Sequence, residues 1–146
     1  MNKKGFLLME ILMGLFLLGL ITVSCLPILN TALRNLQLSK DKMEMIYIAE
    51  SAIEQLKSFD YNSTQKDEYL FDIQLIELAD SLMDEEQVTI VLPLNTDNSQ
   101  WKYLCTIHKE KDFSELWKIS VEVSPIDKEQ RLKDVTIVAF MPIPQK

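Results

Sequence analysis

From Phe6 to Leu29 the chain reads FLLMEILMGLFLLGLITVSCLPIL, twenty-four residues with a single charge. At about 1.5 Å per helical residue this run exceeds the roughly 30 Å of a bilayer's hydrocarbon core. It therefore predicts a membrane-spanning helix, and a chain of 146 residues then has room for one small domain beyond it. Glu10 is the anomaly. An acidic residue at the centre of a spanning helix costs about 2.5 to 3.5 kcal/mol, and less towards the end. Glu10 either reaches the interface or needs a cation. A cut after Gly5 would create that cation as the α-amino group of Phe6, and a neighbouring copy would bring it to a carboxylate otherwise alone among apolar side chains.

Gly14, Gly19 and Pro27 are the helix-weakening residues of the run, and the chain has no glycine after Gly19. Proline inside a helix removes one backbone bond and clashes with the preceding turn, at about 3 kcal/mol in water. A kink follows, or a stretch from Gly19 to Pro27 that unwinds while Thr22 and Ser24 hydroxyls satisfy freed backbone groups.

The net charge of −7 is unevenly spread: Lys3 and Lys4 precede the apolar run, whereas residues 30–146 hold 13 basic and 21 acidic side chains. Basic residues ahead of a span stay inside, so the N-terminus is expected in the cytoplasm and the acidic C-terminal part outside it. The acidity also argues against direct contact with nucleic acid, which needs a basic footprint. Cys25 lies in the apolar run and Cys105 far along the chain, so no intrachain disulfide is expected, and neither has the spacing of a metal site.

Lys3-Lys4-Gly5-Phe6-Leu7-Leu8-Met9-Glu10, leading into an apolar run, resembles the leader and mature N-terminus of type IV pilins and pseudopilins. The resemblance implies that a membrane-bound prepilin peptidase cuts between Gly5 and Phe6 and methylates the Phe6 amino group. Glu10 becomes the fifth residue of the mature chain, where the family carries its assembly glutamate. Gly19 and Pro27 fall where members often carry helix-loosening residues. One departure is visible: many members have Thr second after the cut, and this chain has Leu7. Tyr47 to Lys57, YIAESAIEQLK, resembles the helix end of minor pilins and pseudopilins. With no C-terminal disulfide loop of the kind found in some major pilins, the minor class is implied. The implied partners are the prepilin peptidase, other pilin subunits met through the N-terminal helix, and the inner or cytoplasmic membrane.

The helical period continues past Asn30 through Leu29, Leu33, Leu36, Met43, Tyr47, Glu50, Ile53 and Leu56, without Gly or Pro before Tyr61, so one helix is expected to about Phe59. Residues 60–87 form an acidic connector, with nine acidic residues against Lys66 alone and turn composition from Asp60 to Gln65. Leu70, Phe71, Leu75, Leu78, Ala79 and Leu82 fit a short amphipathic helix, although Phe71 to Leu75 also alternates as a strand would. Strands are expected over Val88 to Leu94, Lys102 to His108, Trp117 to Val123 and Val135 to Met141. The breaks between them, Asn95 to Gln100, Lys109 to Glu115 and Pro125 to Arg131, suit an antiparallel meander. The expected fold is α+β and pilin-like, a long N-terminal helix packed on a four-stranded antiparallel sheet. Its parts are a leader (1–5), a transmembrane and filament-core helix (6–29), an amphipathic extension (30–59), the connector (60–87) and the sheet (88–146).

No catalytic, cofactor or metal motif is present. Glu50 and Glu54 mark a solvated face, His108 an ordinary strand position, Trp101 and Trp117 packing residues, and Cys105 a buried strand residue. The expected function is a structural, non-enzymatic subunit of a type IV pilus-like filament or related secretion or DNA-uptake machine. Two other classes remain open. One is an adhesin or ligand-binding module on a pilin-type anchor. The other is a signal-anchored or lipid-modified membrane protein, since Thr22-Val23-Ser24-Cys25 resembles a lipobox, though Leu26 to Leu29 stay apolar after it.

Overall fold

A computed structural model of the chain describes residues 3–60, 68–95, 101–111, 116–127 and 132–144. The chain divides into two units, Met1–Lys40 and Asp41–Lys146, and one helix, α1 (Lys3–Ser58), supplies residues to both. In the first unit α1 is unbroken through Gly19 and Pro27. Pro27 has no N–H to offer the carbonyl of Val23. The Thr22, Ser24 and Thr31 hydroxyls bond the carbonyls of Leu18, Leu20 and Pro27 at 2.8, 2.9 and 2.9 Å, so each satisfies its own donor within the helix and none reaches Val23.

The second unit is built around the stretch of α1 from Asp41 onward. Tyr69–Leu70 (β1) and Ile73–Gln74 (β2) form a tight hairpin, followed by α2 (Leu75–Asp84). Four strands then follow: β3 (Gln87–Leu92), β4 (Tyr103–Lys111), β5 (Leu116–Pro125) and β6 (Val135–Pro142). They pair in the order β3-β4-β5-β6, every pair antiparallel, so the meander and the α+β class expected from the sequence are present. Period-two alternation places Tyr103, Cys105 and Ile107 of β4 and Trp117, Ile119, Val121 and Val123 of β5 on one buried face. That face forms a single core with Leu75, Leu78 and Leu82 of α2 and with Met45, Ala49, Ala52, Ile53 and Leu56 of α1. Ala49 and Ala52 are fully buried in this core.

Several expectations need correction. The apolar row drawn through Leu33, Leu36, Met43 and Tyr47 is exposed, and only its last members, Ile53 and Leu56, are buried. The buried seam begins at Met45, two residues and about 200° around the helix from Tyr47, and runs through Ala49, Ala52, Ile53 and Leu56. Leu70 and Phe71 belong to the hairpin, not to a helix, and Phe71 sits at φ 59°, the left-handed conformation that a two-residue turn demands of its first central position. Strand β3 stops at Leu92 rather than Leu94, and β4 runs on to Lys111 through the supposed break at Lys109, whereas α1 ends at Ser58, in line with the expected end at about Phe59. Residues 61–65, 96–100, 112–115 and 128–131 of the expected turn and breaks lie outside the described residues.

The extension of β4 matters because it puts Lys109 on the core side, 3% exposed. Its ammonium donates to the carbonyls of Leu82 and of Glu85, the latter at 2.6 Å, and lies 4.7 Å from the centroid of the Trp117 ring. The last carbonyls of a helix have no partners in the helix and carry its negative end, and α2 has no basic residue in its last turn. Lys109 supplies that cation from the sheet. Lys109→Met is expected to destabilise the unit by about 1 to 3 kcal/mol, because the buried carbonyls lose a charged donor; denaturant unfolding monitored by tryptophan fluorescence measures it.

Candidate functional site

The residues singled out by the sequence lie on α1. Gly5 and Phe6 fall within the helix, which starts at Lys3. Glu10 is exposed and lines a shallow groove with Met9, Met13, Gly14 and Leu17. Gly14, with no side chain, forms part of its floor. A Cβ at Gly14 or at Gly19 would meet nothing within 4 Å, so packing within the chain does not call for either glycine. Close approach by another helix would. Every large apolar side chain from Leu7 to Leu29 is exposed, and α1 is long and apolar enough, by length and composition, to cross a membrane. The core helix of a soluble protein passes the same length test, but its apolar window is buried and this one is not. The arrangement offers one carboxyl group, which accepts hydrogen bonds and has no donor once ionised, on an apolar cylinder with a dent beside it.

The second unit holds polar clusters that the sequence did not disclose. Asp41 and Glu44, three apart on α1, face the start of β4. Lys102 donates to Asp41 at 2.7 Å and to Glu44 at 3.1 Å. The Tyr103 hydroxyl donates to Glu44 at 2.9 Å, and Asp41 is buried. Hydrogen bonds from Lys102 and then Tyr103 hold the Glu44 carboxyl below its ordinary 4.5, Asp41 first among its partners raises the Lys102 ammonium, and burial pushes the Tyr103 phenol up. The spacing of Asp41 and Glu44 hinted at a shared helix face; nothing in the sequence pointed to Lys102. Asp72, in the β1–β2 turn, accepts the backbone N–H groups of Leu94 and Asn95 at 2.9 and 3.0 Å. Burial opposes its ionisation, but these donors outweigh it and lower the carboxyl.

His108 has neighbours that the sequence reading did not give it: Thr89 Oγ1 at 2.7 Å from Nδ1 and Glu110 at 3.4 Å from Nε2. Thr89 is its cross-strand partner and Glu110 follows two residues on, so the register alone brings them together. Glu110 also binds Lys118 at 2.9 Å. These groups lie on the open outer face of the sheet, a hydrogen-bonded chain rather than a cleft that could position a substrate. Trp117 is buried and Trp101 packs on Phe71, ring centroids 5.4 Å apart, in keeping with packing roles. Cys105 is buried, and burial pushes its thiol up to about 12, whereas Cys25 is an exposed free thiol on α1. Among the described residues no group of His, Cys, Asp or Glu is arranged to hold a metal.

Comparison with protein-family models, with curated proteins and with solved structures gives no match. The functional reading therefore rests on the chain's own residues.

Glu44, Asp72 and Glu110 all have lowered carboxyls. A depressed pKa adds stability that is fully present above the unfolded value and is lost as pH falls through the folded one. The unit is therefore expected to lose stability below the ordinary Glu value of 4.5. In thermal melts, Glu44→Gln should lower the midpoint near neutral pH and differ progressively less from the wild type at about pH 3; an unchanged difference at both would rule out this ionic contribution.

Proposed function

We propose that this chain is a structural subunit of a type IV pilus-like filament or of a related secretion or DNA-uptake machine, of the minor pilin or pseudopilin class. On this reading it is made as a membrane precursor, N-terminus in the cytoplasm and second unit outside. The prepilin peptidase cuts it between Gly5 and Phe6 and methylates Phe6, and it then joins other subunits through α1. The observation that carries the proposal is an apolar helix left uncovered by its own chain, with one carboxylate four residues after a Gly-Phe junction that follows two lysines. The α+β unit, with a helix packed on a four-stranded antiparallel sheet, agrees with the architecture that the resemblance implies.

Apolar packing between α1 helices would supply most of the adhesion, since it is proportional to the area removed from water or lipid contact. Glu10 supplies register. A carboxylate buried among helices without a cation is strongly destabilising, so only the axial stagger that sets Glu10 of one subunit against the Phe6 ammonium of another is tolerated. The groove at Gly14 leaves room beside the carboxylate for that approach. Gly19 and Pro27 provide the place where α1 loosens as it leaves the bilayer, since each weakens the helix and a Cβ at Gly19 would meet nothing within 4 Å.

Glu10→Ala tests the mechanism. The variant is expected to be cleaved after Gly5 at the normal rate yet to be strongly depleted from sheared or extracted filaments, measured by immunoblot against the membrane pool. Normal cleavage with wild-type incorporation would contradict the charge pairing.

A further inference from the structure

The sheet ends in two unequal edges. Strand β6 is hydrogen-bonded to β5 on one side only, and among the described residues its backbone makes no bond outside that ladder. An edge strand presents a row of unpaired N–H and C=O groups, which proteins usually blunt with lysine, proline, a bulge or short length. Residues 135–142 read VTIVAFMP: no charge, no proline before the last residue, and a register with β5 that runs from Val123↔Val135 to Leu116↔Pro142 without a bulge. Val138 and Phe140 stand out from the outer face, 49% and 53% exposed. The opposite edge, β3, is shorter, at 6 residues against 8, and is entered through Asp84, Glu85 and Glu86.

We propose that the free edge of β6 pairs with the same strand of a second copy, antiparallel about a two-fold axis at Val138, joining two four-stranded sheets into one continuous sheet. Two features select a second copy over other strand donors. In a chain of net charge −7, the uncharged β6 edge is where two like-charged molecules meet with least repulsion. The strand is also complementary to itself: a two-fold at Val138 sets Phe140 opposite Thr136, Ala139 opposite Ile137 and Met141 opposite Val135, a larger side chain facing a smaller one on both faces. An isologous interface requires this self-matching, and directly opposed pairs are what stabilise an antiparallel ladder. The pairing does not depend on how α1 assembles, so it stands or falls separately from the filament reading.

The test uses the full chain in detergent with Cys25→Ser removing the exposed thiol; buried Cys105 is retained. Opposed residues of an antiparallel pair have Cα atoms about 4.5 to 5.5 Å apart, within the range a disulfide spans. Val138→Cys under mild oxidation is therefore expected to give several-fold more covalent dimer than Val91→Cys, which places a similarly exposed thiol (Val91 is 45% exposed) on the β3 edge. Val138→Lys should lower the self-association seen by light scattering several-fold more than Val91→Lys does, a comparison to which α1 contributes equally, while leaving the circular dichroism spectrum and melting midpoint near the wild type, because the side chain is half exposed. Equal cross-linking at both edges, a monomeric wild type, or equal self-association of Val138→Lys and Val91→Lys would each overturn the proposal, as would cross-linking of Val138→Cys to another protein in preference to itself.

Discussion

An apolar helix that the described residues of its own chain do not cover has to be covered by something else, and the setting of Glu10 follows from that requirement. Between Leu7 and Leu29 the large side chains of α1 are more than half exposed almost throughout. Burying a Leu, Ile or Phe side chain is worth about 1.5 to 3 kcal/mol, so removing this surface from water is favoured by tens of kcal/mol. The charge of Glu10 opposes that transfer by about 2.5 to 3.5 kcal/mol at most. The apolar term wins, and Glu10 is carried wherever the helix goes. A residue that is expensive and yet outvoted is informative, because the least costly place for it is one where a cation waits.

The second unit solves a different problem with the same helix. From Asp41 onward α1 contributes a seam of Met45, Ala49, Ala52, Ile53 and Leu56 to the core it shares with the sheet, with two alanines at its centre. Polar anchors then fix the elements around that seam. Lys102 and Tyr103 tie the start of β4 to Asp41 and Glu44, Lys109 closes the carbonyl end of α2, and Asp72 holds the chain that leaves β3. Each joins residues distant in sequence, and the first two use a lysine: half-exposed Lys102 pairs with two carboxylates, and buried Lys109 has its ammonium solvated by backbone carbonyls.

Which of these features could be read from the residues depends on whether the signal is local. The strands of the meander were legible because Trp117 to Val123 alternates residue by residue and a half-buried strand leaves no other period. The helix over most of α1 was legible from its length and from the absence of Gly and Pro after Asn30. The face that α1 buries was not: Leu33, Leu36, Met43 and Tyr47 form a better apolar row than Met45, Ala49 and Ala52, and only the sheet's shape decides between them. Lys109 was nearly legible. It continues the inward parity of Tyr103, Cys105 and Ile107, and was lost because a lysine reads as a break until the carbonyls that receive it are known. The Phe71 turn was hidden because its left-handed backbone carries none of the usual Gly or Asn. At Glu10 the residue and its anomaly were plain from the sequence, whereas the groove beside Gly14 emerged only in three dimensions.

The central claim, that α1 is a processed pilin-type helix rather than an anchor or a lipid-modified segment, reduces to the chemical state of one terminus. Intact-mass and N-terminal peptide mass spectrometry of the protein extracted from membranes of its own host reads that state directly. A processed pilin-type helix begins at Phe6 with one methyl group on its amino nitrogen. A chain that retains Met1 to Gly5, or one that begins at a diacylglyceryl-modified Cys25, would contradict it.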